Sequence, residues 1–215
     1  MNINKKIDHT ILKANATEKE LKQYCKEAIE YGFASVVVNS YNIPIITGEL
    51  EGTDVSPVAV VGFPLGATLT QVKAFEAKEA VRMGAKEIDM VINIGKLKEG
   101  DYKAVHDDIK AVVQASKPAI VKVIIETSEL TDTEKIVASE LTVKAGGHYV
   151  KTSTGFSRSG ACSHDVRLMT IAVAGKAKIK ASGGIRRLGD AMVLIKAGAD
   201  RLGVGDGKLL SNDIY

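Results

Sequence analysis

Several charged residues stand inside stretches that otherwise read as buried β-strands. Lys151 falls in "YVKTST", Lys180 in "KIKAS", Lys122 and Glu126 in "IVKVIIE", Asp89 in "EIDMVIN" and Asp8 in "IDHTIL". Any one such lysine could turn outward and carry its ammonium to water along its aliphatic stem. That reading weakens when the charges recur at one level of successive strands among apolar or small neighbours. Lys151 and Lys180 together with Asp89 suit amine nucleophilic catalysis. An ammonium that is desolvated or faces another cation loses its proton near neutral pH, and the free amine can attack a carbonyl to form a Schiff base. Asp89 then serves as general acid/base, or organises a water that does. Thr152, Ser153, Thr154 and Gly155, small residues directly after Lys151, leave room for a substrate.

A second group concerns anions. "ASGGIR" at 181–186 and "GVGDG" at 203–207 follow strand-like runs, where backbone amides and a helix start can hold a phosphate. Gly183, Gly184, Gly203 and Gly205 are the candidates, with Arg186 nearby; the plainer reading is a pair of tight turns. Metal ligation is not expected. His9, His106, His148 and His164 form no HxxH or HxH pair. No cofactor motif stands out either.

The elements that must position these groups alternate. "TEKELKQYCKEAIEYG" from Thr17 puts Leu21, Tyr24, Cys25, Ala28 and Ile29 on one helical face, with Thr17 and Glu20 spaced as a capping box and Gly32 closing it. "ASVVVN" follows, too short for a helix and apolar on both faces, as a strand covered from both sides should be. The same helix–glycine–strand punctuation recurs for helices near 70–83, 101–116, 131–145, 163–174 and 189–197. With "VAVVGF" and the opening "IDHTIL", eight strands alternate with helices. That count favours an α/β fold closed as a (β/α)8 TIM barrel over an open doubly wound sheet, with only a short helix after the eighth strand.

The 215 residues, 45% hydrophobic and 26% charged, suffice to bury one substantial core, and one domain over residues 1–215 is expected. A formal charge of +3 with scattered basic residues indicates neither a nucleic-acid stripe nor a membrane-surface patch. Cys25 and Cys162 stand in no metal or redox spacing, which fits a reducing cytoplasm. The start "MNINKKIDHT" lacks the apolar region of a signal peptide, and no apolar run approaches the roughly 20 residues that span a bilayer. A soluble cytoplasmic protein acting on a small molecule is the expectation.

"IDHT", "GFPLGA", "EIDMVINIG", "KVIIET", "VKTSTGF" and "KASGGIR" occur in that order across nearly the whole chain. Together they resemble the deoxyribose-phosphate aldolase family, metal-independent class I aldolases on a (β/α)8 barrel that reversibly cleave 2-deoxy-D-ribose 5-phosphate to D-glyceraldehyde 3-phosphate and acetaldehyde. The resemblance implies that Lys151 is the Schiff-base lysine, Lys180 the second lysine that perturbs it, Asp89 the proton donor and acceptor, and Asp8 a supporting carboxylate. It also implies a homodimer, and a C-terminal tyrosine, here Tyr215, that assists proton transfer. Three departures stand out. Val37 occupies a position where the family often has cysteine, and the tail is abbreviated. The loop after the eighth strand reads Gly203, Val204, Gly205, Asp206 where the family usually has Gly-Thr-Ser followed by Ser or Ala. Loss of two hydroxyls and arrival of a carboxylate would weaken selectivity for phosphorylated substrates, unless Asp206 only caps the last helix. The competing reading is a catalytically silent barrel that binds sugar phosphates, against which the paired lysines argue.

Overall fold

The computed structural model describes residues 2–212. Eight parallel strands close into a barrel in chain order: β1 (Ile7–Thr10), β2 (Ser35–Asn39), β3 (Ser56–Val61), β4 (Glu87–Val91), β5 (Ile120–Ile124), β6 (Tyr149–Lys151), β7 (Lys178–Ser182) and β8 (Arg201–Val204). The helices between and after them are α1 (Glu18–Tyr31), α2 (Ile43–Leu50), α3 (Thr70–Arg82), α4 (Ile94–Lys98), α5 (Tyr102–Ala115), α6 (Asp132–Lys144), α7 (Ser163–Val173), α8 (Leu188–Lys196) and α9 (Lys208–Asn212). The expected (β/α)8 barrel is the fold. Both capping boxes form, Thr17 with Glu20 at α1 and Thr131 with Glu134 at α6, and Gly32 ends α1 in the left-handed region.

Successive residues of a strand face opposite sides of the sheet, so each strand supplies an outer and an inner set. Val36, Val38, Ala59, Val61, Ile88 and Met90 belong to the large apolar core beneath the helices. Burying one such side chain contributes about 1.5–3 kcal/mol. Val37, Val58 and Val60 alternate with them and form a separate small cluster with Leu12 and Phe63 inside the barrel. In register beside that cluster run the charges: Val60 pairs with Asp89, Asp89 with Lys122, and Lys151 with Lys180. The barrel interior is thus apolar along β2 and β3 and ionic along β4 to β8 and β1.

The seam where β8 returns to β1 is tied from outside. Buried His9 accepts at Nδ1 from the Gly207 amide (3.2 Å), so its Nε2 carries the proton facing Glu27 Oε2 at 3.0 Å, and its ring stacks on Tyr24 with centroids 4.2 Å apart. The Tyr24 hydroxyl donates to the Gly205 carbonyl (2.8 Å).

Two expectations are corrected. Helix α2 departs from the expectation: its N-cap Asn42 makes no side-chain cap bond, and Gly48 is a poor helix former in its interior. Burial of Ile43, Ile46 and Leu50 holds it instead. Glu126 is not in the fifth strand. The strand ends at Ile124, and Glu126 lies beyond it with φ 56°, in the left-handed region.

Candidate active site

Inside the barrel three carboxylates meet four cationic side chains, all but Arg201 being fully or nearly fully buried. Asp89 is the hub. Its Oδ2 accepts from Lys151 Nζ (2.8 Å) and Lys180 Nζ (2.7 Å), and its Oδ1 from Lys122 Nζ (2.8 Å). Asp8 forms a second hub: Lys180 Nζ lies 2.5 Å from its Oδ2, while Ser35 Oγ (2.6 Å) and the Arg201 guanidinium donate to its Oδ1. Glu87 closes the network against Lys122 and Arg201. Removing ions from water costs several kcal/mol each, so this cluster is not there to stabilise the fold.

Its electrostatics single out one lysine. Burial alone would raise the Asp89 carboxyl, but Lys122, Lys151 and Lys180 outweigh burial and hold it well below the ordinary carboxylate range. Asp8 is likewise held low against burial by Lys180, Arg201 and Lys122. Burial pulls Lys122 down, yet Asp89, Glu87 and Asp8 reverse that and raise it. For Lys151 burial prevails: with one shared carboxylate as counter-ion and Lys180 adding repulsion, its pKa falls from 10.5 to about 8. Loss of the Lys151 proton leaves the three carboxylates matched by three cations. Lys180 sits between two carboxylates, whereas Lys151 has one.

Lys151 also meets open space. A cavity of about 340 Å³ is lined by Lys151, Thr154, Gly155, Gly183, Gly184, Gly203 and Gly205, joined by Thr10, Leu12, Lys13 and Phe156. At Gly203 a Cβ would lie 2.8 Å from Ser182 Cβ and 3.2 Å from Lys180 Cε, so only glycine lets these side chains pack here. Gly183 has φ 86° and packs its backbone against Gly160.

The structure therefore brings Lys151, Lys180, Asp89 and Asp8 together and places Thr154 and the four glycines 183, 184, 203 and 205 on one cavity. Arg186 is exposed and outside that lining; the cation on the wall is Lys13, ion-paired with Glu20. Tyr215 lies outside the described residues. Asp206 Oδ1 accepts from the Lys208 amide (3.1 Å), the local capping role, and Val204 is buried among the helices rather than in the cavity. Glu87 and Arg201 were missed, and Lys122 was noticed without a role. The spacing held a signal, since Glu87 stands two residues before Asp89 and Arg201 two before Gly203, each pair on one strand face. Among the described residues Asp132, His164 and Asp165 could also gather a cation, but Lys135 Nζ already sits there, 3.0 Å from Asp132 and 2.7 Å from Asp165.

A (β/α)8 barrel carrying a desolvated lysine at the floor of a cavity on its strand ends has the architecture of a carbonyl-processing enzyme. The chain belongs to the DeoC/LacD family of aldolases, whose sequence profile matches residues 3–210. It is 54% identical to a deoxyribose-phosphate aldolase of Clostridium tetani, over 96% of each chain. It is 55% identical to one of Streptococcus equi subsp. zooepidemicus, over 96% of this chain and 94% of that one. The deoxyribose phosphate aldolase of Aeropyrum pernix, described as tetrameric, superimposes with a TM-score of 0.92 at 31% identity, covering 98% of this chain and 90% of that one. No helix among the described residues is long and apolar enough to cross a membrane.

Proposed function

We propose that this aldolase reversibly cleaves 2-deoxy-D-ribose 5-phosphate to D-glyceraldehyde 3-phosphate and acetaldehyde through a Schiff base on Lys151. The observation that carries the reading is that, of the four interior cations, Lys151 is the one that lines the cavity, with its pKa lowered to about 8. In synthesis the neutral amine adds to acetaldehyde and water leaves. The iminium acidifies the adjacent methyl, and a proton passes to Asp89 or to a water that it holds. The enamine then attacks the aldehyde carbon of glyceraldehyde 3-phosphate, and hydrolysis frees Lys151. In cleavage the steps reverse, and the iminium accepts the electron pair of the broken carbon–carbon bond. Lys180, clamped between Asp8 and Asp89, stands beside the reacting amine. Relatives of more than half identical sequence that carry the aldolase name support the substrate.

The protein works as a single-domain homodimer in the cytoplasm. Leu65, Leu69, Val72 and Phe75, exposed on and before α3, offer a second copy an apolar face, and sedimentation velocity at micromolar concentration tests it. Tyr215 assists the proton transfer.

Incubation with acetaldehyde and borohydride, followed by peptide mass spectrometry, tests the chemistry. A reduced two-carbon adduct on Lys151 is expected; an adduct elsewhere, or none, would overturn it.

A further inference from the structure

Beyond the end of β5 the ladder to β6 slips. The Ile125 amide donates to the Lys151 carbonyl (3.0 Å) and the Thr127 amide to the Thr152 carbonyl (2.9 Å). Two residues advance on one side while one advances on the other, so Glu126 is the extra residue of a bulge. Bulges re-aim side chains, and left-handed backbone at a residue with a Cβ persists only where its surroundings impose it. Here the bulge turns the Glu126 carboxylate onto the segment that follows the nucleophilic lysine. Oε2 accepts from the Thr154 amide (3.2 Å) and from the Thr154 hydroxyl. That hydroxyl accepts in turn from the Phe156 amide (3.0 Å). Thr154, Gly155 and Phe156 all line the cavity, whereas Glu126 itself does not. Glu126 is 3% exposed, and its buried Oε1 has no hydrogen-bond partner among the described residues.

We propose that Glu126 is a positioning residue, which acts through Thr154 to fix the 154–156 turn as the substrate-holding wall above Lys151. The proposal rests on the cleavage reaction assigned above. Burial holds the carboxyl above its ordinary range, opposed by the Thr154 bonds and by Lys151 and reinforced by Glu129; these are the charged groups that bear on it. A single accepting oxygen serves Thr154, so geometry rather than charge is what the turn needs.

The full-length protein and its Glu126→Ala, Glu126→Gln, Thr154→Val and Glu126→Ala/Thr154→Val variants would be compared. Steady-state cleavage of 2-deoxyribose 5-phosphate is one readout, and hydrogen exchange of the 152–156 peptide is the other. Glu126→Ala should raise KM about tenfold with kcat held within about threefold, and Gln should restore KM to within about threefold. The double variant should be no worse than the poorer single variant, because both cut one chain of bonds. Additive losses, a fall in kcat at constant KM, or Gln as poor as Ala would overturn the proposal. Exchange of the peptide should quicken in Glu126→Ala and not in Glu126→Gln. Unchanged exchange in Glu126→Ala overturns the proposal whatever the substrate proves to be. If the parent cleaves no 2-deoxyribose 5-phosphate, the assigned reaction fails while the exchange comparison still decides the role of Glu126.

Discussion

Two lysines in this molecule are buried against carboxylates at nearly the same distance and stand in opposite surroundings. Lys73, on α3, lies 2.7 Å from Asp108 on α5 and donates to the Val91 carbonyl at 3.0 Å. Lys151, on β6, lies 2.8 Å from Asp89. Burial lowers the pKa of both. They differ in what surrounds them. Among the described residues Asp108 accepts from Lys73 and the Thr70 hydroxyl, and the Lys73 stem packs so closely on Gly62 that a Cβ there would lie 2.9 Å from Lys73 Cε. Asp89 is divided among three lysines, and Lys151 opens onto a cavity. A desolvated lysine becomes a nucleophile when its counter-ion is shared and a carbonyl can reach it; burial alone yields a strut.

That contrast can be broken most forcefully at Lys151. Lys151→Ala should lower kcat by at least about 10⁴-fold and abolish the borohydride-fixed adduct, while Lys73→Met should leave the adduct on Lys151 intact. Labelling of Lys73 in the parent protein would contradict the comparison outright. Next in size is Asp89→Asn, which removes the charge shared by three lysines. It should cost about 3–5 kcal/mol in urea unfolding and lower kcat by about 10²-fold or more. Lys73→Met leaves Asp108 buried without its cation and should lose about 3 kcal/mol of stability with kcat little changed. The pH dependence sharpens the contrast further. Since the neutral amine reacts and the Lys151 pKa is lowered to about 8, the rate of adduct formation should rise with pH through about 8 and level off above it. A rate still climbing steeply toward pH 10 would mean that the lysine is not perturbed. The smallest effect concerns selectivity. A side chain at Gly205 would meet no atom within 4 Å, so Gly205→Ser should fit and return one hydroxyl to the cavity wall. It should raise the preference for phosphorylated over unphosphorylated deoxyribose about threefold, whereas Asp206→Ser should change it less than about twofold because that carboxylate already serves the Lys208 amide.

Much of this was legible in the sequence because it is written locally. The Thr17–Glu20 and Thr131–Glu134 boxes announce their helices, and Asp89, Lys151 and Lys180 stand out against apolar neighbours within a few residues. What escaped depends on distance. Arg201 looks like an ordinary strand-start residue until barrel closure sets it against Asp8 and Glu87. By its proximity to Gly183 and Gly184, Arg186 reads as the anion partner, but its side chain is exposed and Lys13 from the loop after β1 lines the cavity. In sequence, Val204 and Asp206 read as losses to a phosphate site. Strand alternation turns the first toward the helices, and the start of α9 claims the second. Helix α2 has no local announcement and exists through its tertiary contacts.

The closing of β8 onto β1 bears on how the enzyme comes into being. Asp8 stands in the first strand, and its partner Arg201 follows 193 residues further along, in the eighth. Without β8, Asp8 has only Lys180 and Lys122 as its cations, and one edge of β1 has no neighbour. Full compensation of Asp8 and sealing of the sheet thus coincide with the eighth strand, so the charge network around Lys151 is complete only when the barrel is closed.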